Sequence, residues 1–290
     1  MKWLYDRNPW PVLIYYISVT TLSAVFNNPY YTAALAVAAV VSFIVDGGRA
    51  KAALSFAAVF VLTFIVNPVV SKKGSTPVIF IGDDPVTAEA ILYGLNSAAL
   101  ITAVMFLFYV FTKVMDSEKL LYLTSPFSAA AAMTLSAVLR FAPLYARQAG
   151  VISDQQKALG AGGDGSIPAR LRFGARVFSA LSTWALENGI TAADSMACRG
   201  YGTGKRSFYS FYKFKPSDTV FLVSGLCLTA ACALPALFCD CRFGYYPGIK
   251  PPQMSAGLMI SFSAFVLLSF LPIIFETADR IRWKYLRQKI

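Results

Sequence analysis

The chain contains no histidine in 290 residues, which removes Ser-His-Asp and Cys-His catalysis, imidazole-ligated metals and histidine proton relays together. Charge is also scarce, at 14% Asp, Glu, Lys and Arg, and acids are the scarcer sign, 15 against 26 basic residues. Clustered carboxylates for two-metal chemistry are missing: the adjacent pair Asp83 and Asp84 reads as a solvated turn before Pro85. The five cysteines make neither a disulfide framework nor a zinc site. Cys198, Cys227 and Cys232 lie in helical or apolar runs, and Cys239 with Cys241 forms one CxC without a second pair at ligand spacing. No small-residue cleavage site follows the first apolar run, so that run is expected to be retained.

What is present is apolar. Hydrophobic residues make up 57% and aromatics 14%, and a mean hydropathy of +0.57 leaves too little polar cover for a soluble globule. Apolar segments approaching the roughly 20 residues that a bilayer core requires run Trp10 to Phe26, Tyr30 to Val45, Ala52 to Val70, Ala88 to Met115, Thr219 to Phe238 and Ser255 to Phe275. The tight turn Asn27 to Pro29 predicts an antiparallel first pair, and the Pro- and Gly-rich stretch after Val70 predicts a loop. No acidic or basic residue lies well inside a predicted span. Glu89 and Lys113 sit near span ends, where they are expected to snorkel.

Asp116 to Pro216 differs in kind, because Arg140, Arg147, Lys157, Arg170, Arg172, Arg176 and Arg199 are too many charges for lipid-embedded helix. The expected organisation is membrane helices one to four over residues 1–115, a cytoplasmic helical domain over 116–217, and helices five and six with a basic tail over 218–290. Both termini are then inside a multi-pass protein of the plasma membrane, and the basic residues concentrate on one side, as the positive-inside rule expects. Phe127 to Ala146 could pass for a seventh span, but Arg140 and Pro143 favour an amphipathic helix with a kink at Pro143, continuing to a glycine-rich break at Gly160 to Gly165. Ser166 and Pro168 suit the start of a second helix ending near Asn188 and Gly189. Thr191 and Asp194, at capping-box spacing, predict a short third helix that stops at Gly200.

Several strings imitate chemistry. GAGGDG, Gly160 to Gly165, satisfies GxGxxG without a preceding strand, and GYGTGKRS, Gly200 to Ser207, lacks phosphate-loop spacing and follows a helix. DGGRAK, Asp46 to Lys51, shares the opening of a phospholipid alcohol-transferase signature without its later aspartates. The chain therefore has no catalytic, metal or cofactor site of its own in this reading, and no engine: neither a nucleotide site nor an intramembrane ion relay. The stretch ADSMACRGYGTGKRS, Ala193 to Ser207, places Arg199 at a helix carboxyl end. There a guanidinium can project toward an acidic groove on a soluble partner. The same stretch also reads as a basic surface loop obeying the positive-inside rule, and residue chemistry alone does not separate the two.

Over nearly its whole length the chain resembles the transmembrane T component of energy-coupling factor transporters, the CbiQ-like family. The resemblance rests on NPVVSKKG at Asn67 to Gly74, the run Ile101 to Leu123, AVLRFAPLYARQAGVISDQQKALG at Ala137 to Gly160 and, most specifically, DSMACRGYGTGKRS. It implies an all-α polytopic membrane protein of about six transmembrane helices with an inserted coupling domain. Such a protein is a non-enzymatic scaffold linking two cytoplasmic ABC-type ATPases, which use ATP, to a small substrate-binding membrane subunit for uptake of a vitamin or metal ion. It also implies two ATPase-coupling tripeptides. Here the second is Cys198-Arg199-Gly200, supported by Lys205 and Arg206, while the first is Ala158-Leu159-Gly160. Leu159 stands where the family has arginine, with Lys157 immediately before the tripeptide. Arg199 is thus expected to be the ionic anchor, and Gln155 to Gly160 to dock by shape. The lipid bilayer is a partner and nucleic acid is not: SFYSFYKFKP, Ser207 to Pro216, interleaves aromatic and basic residues only weakly. The alternative reading is a membrane-embedded lipid-metabolising enzyme with a basic cytoplasmic face.

Overall fold

A computed structural model describes residues 2–287 apart from 72–73, 82–83, 127, 161, 163–164, 205–211, 239–242, 247, 250–251 and 253–254. Cys239, Cys241, Asp83 and the supporting basic pair Lys205 and Arg206 lie outside the described residues. The chain divides into two compact units, Met1–Lys119 with Tyr212–Ile290, and Leu120–Phe211.

The first unit is a helical membrane bundle with one small hairpin in a connecting loop. It begins with the short helix α1 (Lys2–Tyr5), followed by α2 (Pro9–Phe26), α3 (Pro29–Val45), α4 (Ala50–Val70) and α5 (Ala88–Val114), and it closes with α9 (Pro216–Phe238) and α10 (Ala256–Arg287). Among the described residues, α2, α4, α5, α9 and α10 are long and apolar enough to cross a bilayer, and α3 is an apolar helix of 17 residues at the short end of the spanning range. Local chemistry sets the starts. The side chains of Asn8 and Asn28 accept from the amides of Trp10 and Tyr30 at 3.1 and 3.2 Å, and prolines occupy the first turns. Asn27 ends α2 in the left-handed region at φ 41°, a conformation that asparagine tolerates.

That turn joins α2 to α3, yet their chief packing partners lie elsewhere: α2 packs on α9, and α3 on α5 and α10. The core gathers Val12, Tyr15, Val19, Leu35, Leu107, Val110, Phe221, Phe265 and Leu268. Because lipid offers no water to a stray hydroxyl, burial favours tyrosines partnered across helices, as Tyr15 and Tyr31 are. Tyr15 donates to the Ser269 carbonyl at 3.1 Å and Tyr31 to Ser261 Oγ at 3.0 Å, while Ser261 donates to the Cys232 carbonyl at 2.9 Å. Helix α4 packs on α5 but has no buried residue; Leu54, Leu62, Ile65 and Val70 face outward, so it is a peripheral helix, apolar all round.

Three expectations are corrected in this unit. The loop after α4 contains a small antiparallel hairpin, β1 (Pro77–Ile81) with β2 (Asp84–Thr87), the first strand being a short run of apolar and β-branched residues of the kind that favours strand. Glu89 does not snorkel; it is buried and accepts hydrogen bonds from the Ser75 and Thr76 hydroxyls at 3.1 and 2.8 Å, so its carboxylate is solvated by the loop that precedes the hairpin. Lys113 pairs with the buried Asp46 carboxylate at 2.9 Å, joining the ends of α5 and α3. At the same end as α1, Lys119 is buried and donates to the Leu4 carbonyl at 3.1 Å. Burial pulls its pKa below the ordinary lysine value, against the opposing fields of Asp116 and Asp6. Finally, α10 continues well beyond the apolar run that ends at Phe275, so the tail through Arg287 is helical.

The second unit is built on α7 (Ala129–Ala158) and α8 (Ile167–Cys198), with α6 (Ser117–Thr124) at the junction of the two units. Helix α7 is capped by Ser128, which accepts from the Ala131 amide at 3.2 Å, and it runs unbroken through Pro143.

Candidate functional site

Helix α8 is where the sequence reading fails most usefully. It is one helix of 32 residues, not two. Gly189 costs an interior helix only about 1 kcal/mol, and Thr191, expected to cap a new helix, instead bonds back to the Glu187 carbonyl at 2.9 Å as interior threonines do. Arg199 therefore ends a long helix and not a short one.

Both proposed coupling tripeptides terminate their helices in the same way. In α8, Arg199 is the C-cap at φ −82°, ψ 6°, and Gly200 turns left-handed at φ 80°. The Gly200 amide donates to the Ala197 carbonyl and the Tyr201 amide to the Met196 carbonyl, both at 3.0 Å, the paired bonds of a Schellman ending. Thr203 Oγ1 adds a bond to the Gly200 carbonyl at 2.7 Å. In α7, Leu159 is the C-cap at φ −79°, ψ 9°, Gly160 turns at φ 72°, and its amide donates to the Lys157 carbonyl at 3.0 Å. The replacement of arginine by leucine at 159 changes the side chain presented and leaves the turn that presents it.

The side chains at these turns point away from the fold. Leu159 is 79% exposed. Ala158, Gly160, Cys198, Arg199 and Gly200 are exposed too, and among the described residues the Arg199 guanidinium has no side-chain partner. Lys157 spends part of its charge on Asp154 at 3.3 Å, an exposed pair of small energetic value.

The two turns lie at opposite ends of one antiparallel hairpin. Tyr145 of α7 meets Trp184 of α8 edge-on with ring centroids 5.8 Å apart, and the Tyr201 hydroxyl just past α8 reaches the Met133 sulfur near the start of α7. From Met133 to Leu159 is roughly 26 residues, or about 39 Å of helix at 1.5 Å per residue. Between the ends, α8 buries no residue, and Leu171, Phe178 (71% exposed), Leu186 and Ile190 lie open. The sequence reading broke the helix near Asn188 and Gly189, although Leu186 and Ile190 continue the 3.6-residue apolar period across that point.

Among the described residues no three Cys, Asp or Glu side chains converge in a metal-holding cluster. No curated protein matches the chain. The family model described as CbiQ, cobalt transport protein, matches residues 2–209, which takes in α1 to α8 and both glycine-capped turns. That match covers more than two thirds of the sequence, and with the polytopic helical fold it shows that this chain belongs to the CbiQ cobalt transport protein family.

Proposed function

We propose that the protein is the transmembrane scaffold of an ATP-driven importer of the energy-coupling factor type. Residues 116–217 form its cytoplasmic coupling domain, the termini are cytoplasmic, and the membrane is the plasma membrane. The two ends of the α7–α8 hairpin dock two ABC-type ATPase subunits. These bind and hydrolyse ATP, so the chain needs no cofactor of its own. The membrane bundle and the open apolar face of α8 engage a separate substrate-binding membrane subunit that holds a metal ion or vitamin.

One observation carries this reading: two helix C-termini with the same glycine-capped turn, each exposing its cap residue, stand about 40 Å apart at opposite ends of one helical hairpin. A single binding loop has no use for that duplication, whereas two ATPase subunits side by side each need a contact. The contacts are unequal in chemistry. Arg199 offers a fork of donors to a carboxylate, and Leu159 offers apolar area, with Lys157 as an off-centre point charge.

The test is co-purification in detergent with the ABC-type ATPases of the same genome, comparing wild type, Arg199→Glu and Leu159→Glu at matched expression. ATPase retained by wild type and lost most severely with Arg199→Glu supports the scaffold and the ranking. Equal loss in both variants removes the ranking. A wild type that retains no ATPase removes the proposal.

A further inference from the structure

At the end of the bundle that carries α1 lies a cavity of about 850 Å³, and its construction is unlike the apolar contacts elsewhere. One wall is α1 and the residues after it; the other is the extension of α10 past Glu276, with Lys215 at the start of α9. Two fixed contacts hold the walls in register. The Trp3 amide donates to the buried Glu276 carboxylate at 2.9 Å, and Glu276 also accepts from Arg280 at 3.0 Å. Arg7 pairs with Asp218 at 3.2 Å and lies 4.5 Å over the Trp3 ring. Those charges are committed within the fold.

Three others are not. Lys215, Lys284 and Arg287 line the cavity, are exposed, and among the described residues have no side-chain hydrogen bond or ion pair. Asp6 and Asp279 are the remaining acids of the lining, so the uncommitted charge is net positive. Trp3 and Trp283 also face this space, and Ile281 lies beside them. Position completes the description: Phe275 ends the apolar stretch of α10, so Lys284 and Arg287 follow within about three and a half turns of a membrane span. A basic pocket flanked by tryptophan at the depth of the headgroups satisfies a phosphate on one side and acyl chains on the other.

We infer that the cavity between α1 and the extension of α10 binds the phosphodiester headgroup of an anionic phospholipid. Lys284, Arg287 and Lys215 supply the cationic contacts, and Trp3 and Trp283 supply the apolar rim. The site is separate from the α7–α8 hairpin and does not depend on the scaffold reading.

The test uses the full chain in neutral-detergent micelles, titrated with dibrominated phosphatidylglycerol and followed by quenching of tryptophan fluorescence. Dibrominated phosphatidylcholine and competition by inorganic phosphate form separate arms. The expected result is saturable quenching by phosphatidylglycerol, with a midpoint shifted about thirtyfold in Lys284→Gln/Arg287→Gln, at about fivefold per charge, and unshifted in the control Arg172→Gln/Arg176→Gln on α8. Lys215→Gln alone, expected to shift it about fivefold, serves if the double variant does not fold. Equal quenching by phosphatidylcholine would show an apolar groove and overturn the proposal. Inorganic phosphate displacing the lipid at matched concentration would reassign the site to a free anion. Equal shifts in the site and control variants would reduce the effect to general surface charge.

Discussion

Gly200→Ala is the sharpest perturbation of the α8 ending. The residue sits at φ 80°, where an L side chain costs roughly 1–2 kcal/mol, and the added Cβ would lie 3.3 Å from Thr203 Oγ1, tight but movable. That cost is comparable to what the two exposed backbone bonds to the Ala197 and Met196 carbonyls return, at about 1 kcal/mol net each or less, so the last turn frays for a substantial part of the time while the helix body survives. Arg199 then loses its fixed direction. If the guanidinium is the anchor, affinity for the ATPase partner falls about tenfold, the equivalent of 1.4 kcal/mol. Two readouts are needed. Binding of the purified ATPase is measured in detergent, and amide exchange is followed at Gly200 and Tyr201. Gly200→Asn, which tolerates the left-handed region, should retain most of both. Gly189→Ala, an ordinary interior position with open space around it, should leave both at wild-type levels or slightly better. Unchanged protection at Tyr201 together with unchanged ATPase affinity in Gly200→Ala would refute the claim that the glycine-capped turn aims Arg199.

Leu159→Arg should strengthen ATPase retention, because the Gly160 turn already presents position 159 as the Gly200 turn presents Arg199; weaker retention in the co-purification assay would mean that the partner reads leucine there. Asp46→Asn leaves the Lys113 ammonium facing a neutral amide, and it should lower stability by about 2 kcal/mol after allowing for the partial exposure of the lysine. Asp46→Asn/Lys113→Met should recover most of that in a detergent thermal melt. Tyr31→Phe should cost under about 1 kcal/mol, since interhelical hydrogen bonds in membranes average near 0.6 and Ser261 keeps its bond to the Cys232 carbonyl. Tyr31→Ala, which empties a fully buried ring site, should cost about 3–5 kcal/mol in the same melt.

Much of the fold was legible because the bilayer restricts the choices. A run such as Ala88 to Met115 has no stable form in lipid except a helix, and the observed α5 spans Ala88–Val114. Asn8 and Asn28, each before a proline, are cap signals that reading the apolar runs from Trp10 and Tyr30 passed over, and they set the starts of α2 and α3. The tripeptides were legible as glycine-terminated helix ends. What misled was local signal without its context: Gly189 with Thr191 and Asp194 looks like a stop and a start, whereas the helix runs on through them and Thr191 bonds back to the Glu187 carbonyl.

The sequence by itself determined that this is a helical membrane protein without histidine chemistry, where its spans run, and that Gly160 and Gly200 each follow a helix end, because each of these follows from composition or from the conformational demands of single residues. Only the tertiary structure decided that α2 leans on α9 and α3 on α5 and α10, and that Glu89 and Glu276 are buried with their partners. It also decided that the two glycine-capped turns stand at opposite ends of one hairpin. Those outcomes depend on contacts between residues tens to hundreds of positions apart, such as Trp3 with Glu276, and no local pattern in the chain encodes which distant neighbour a buried group will meet.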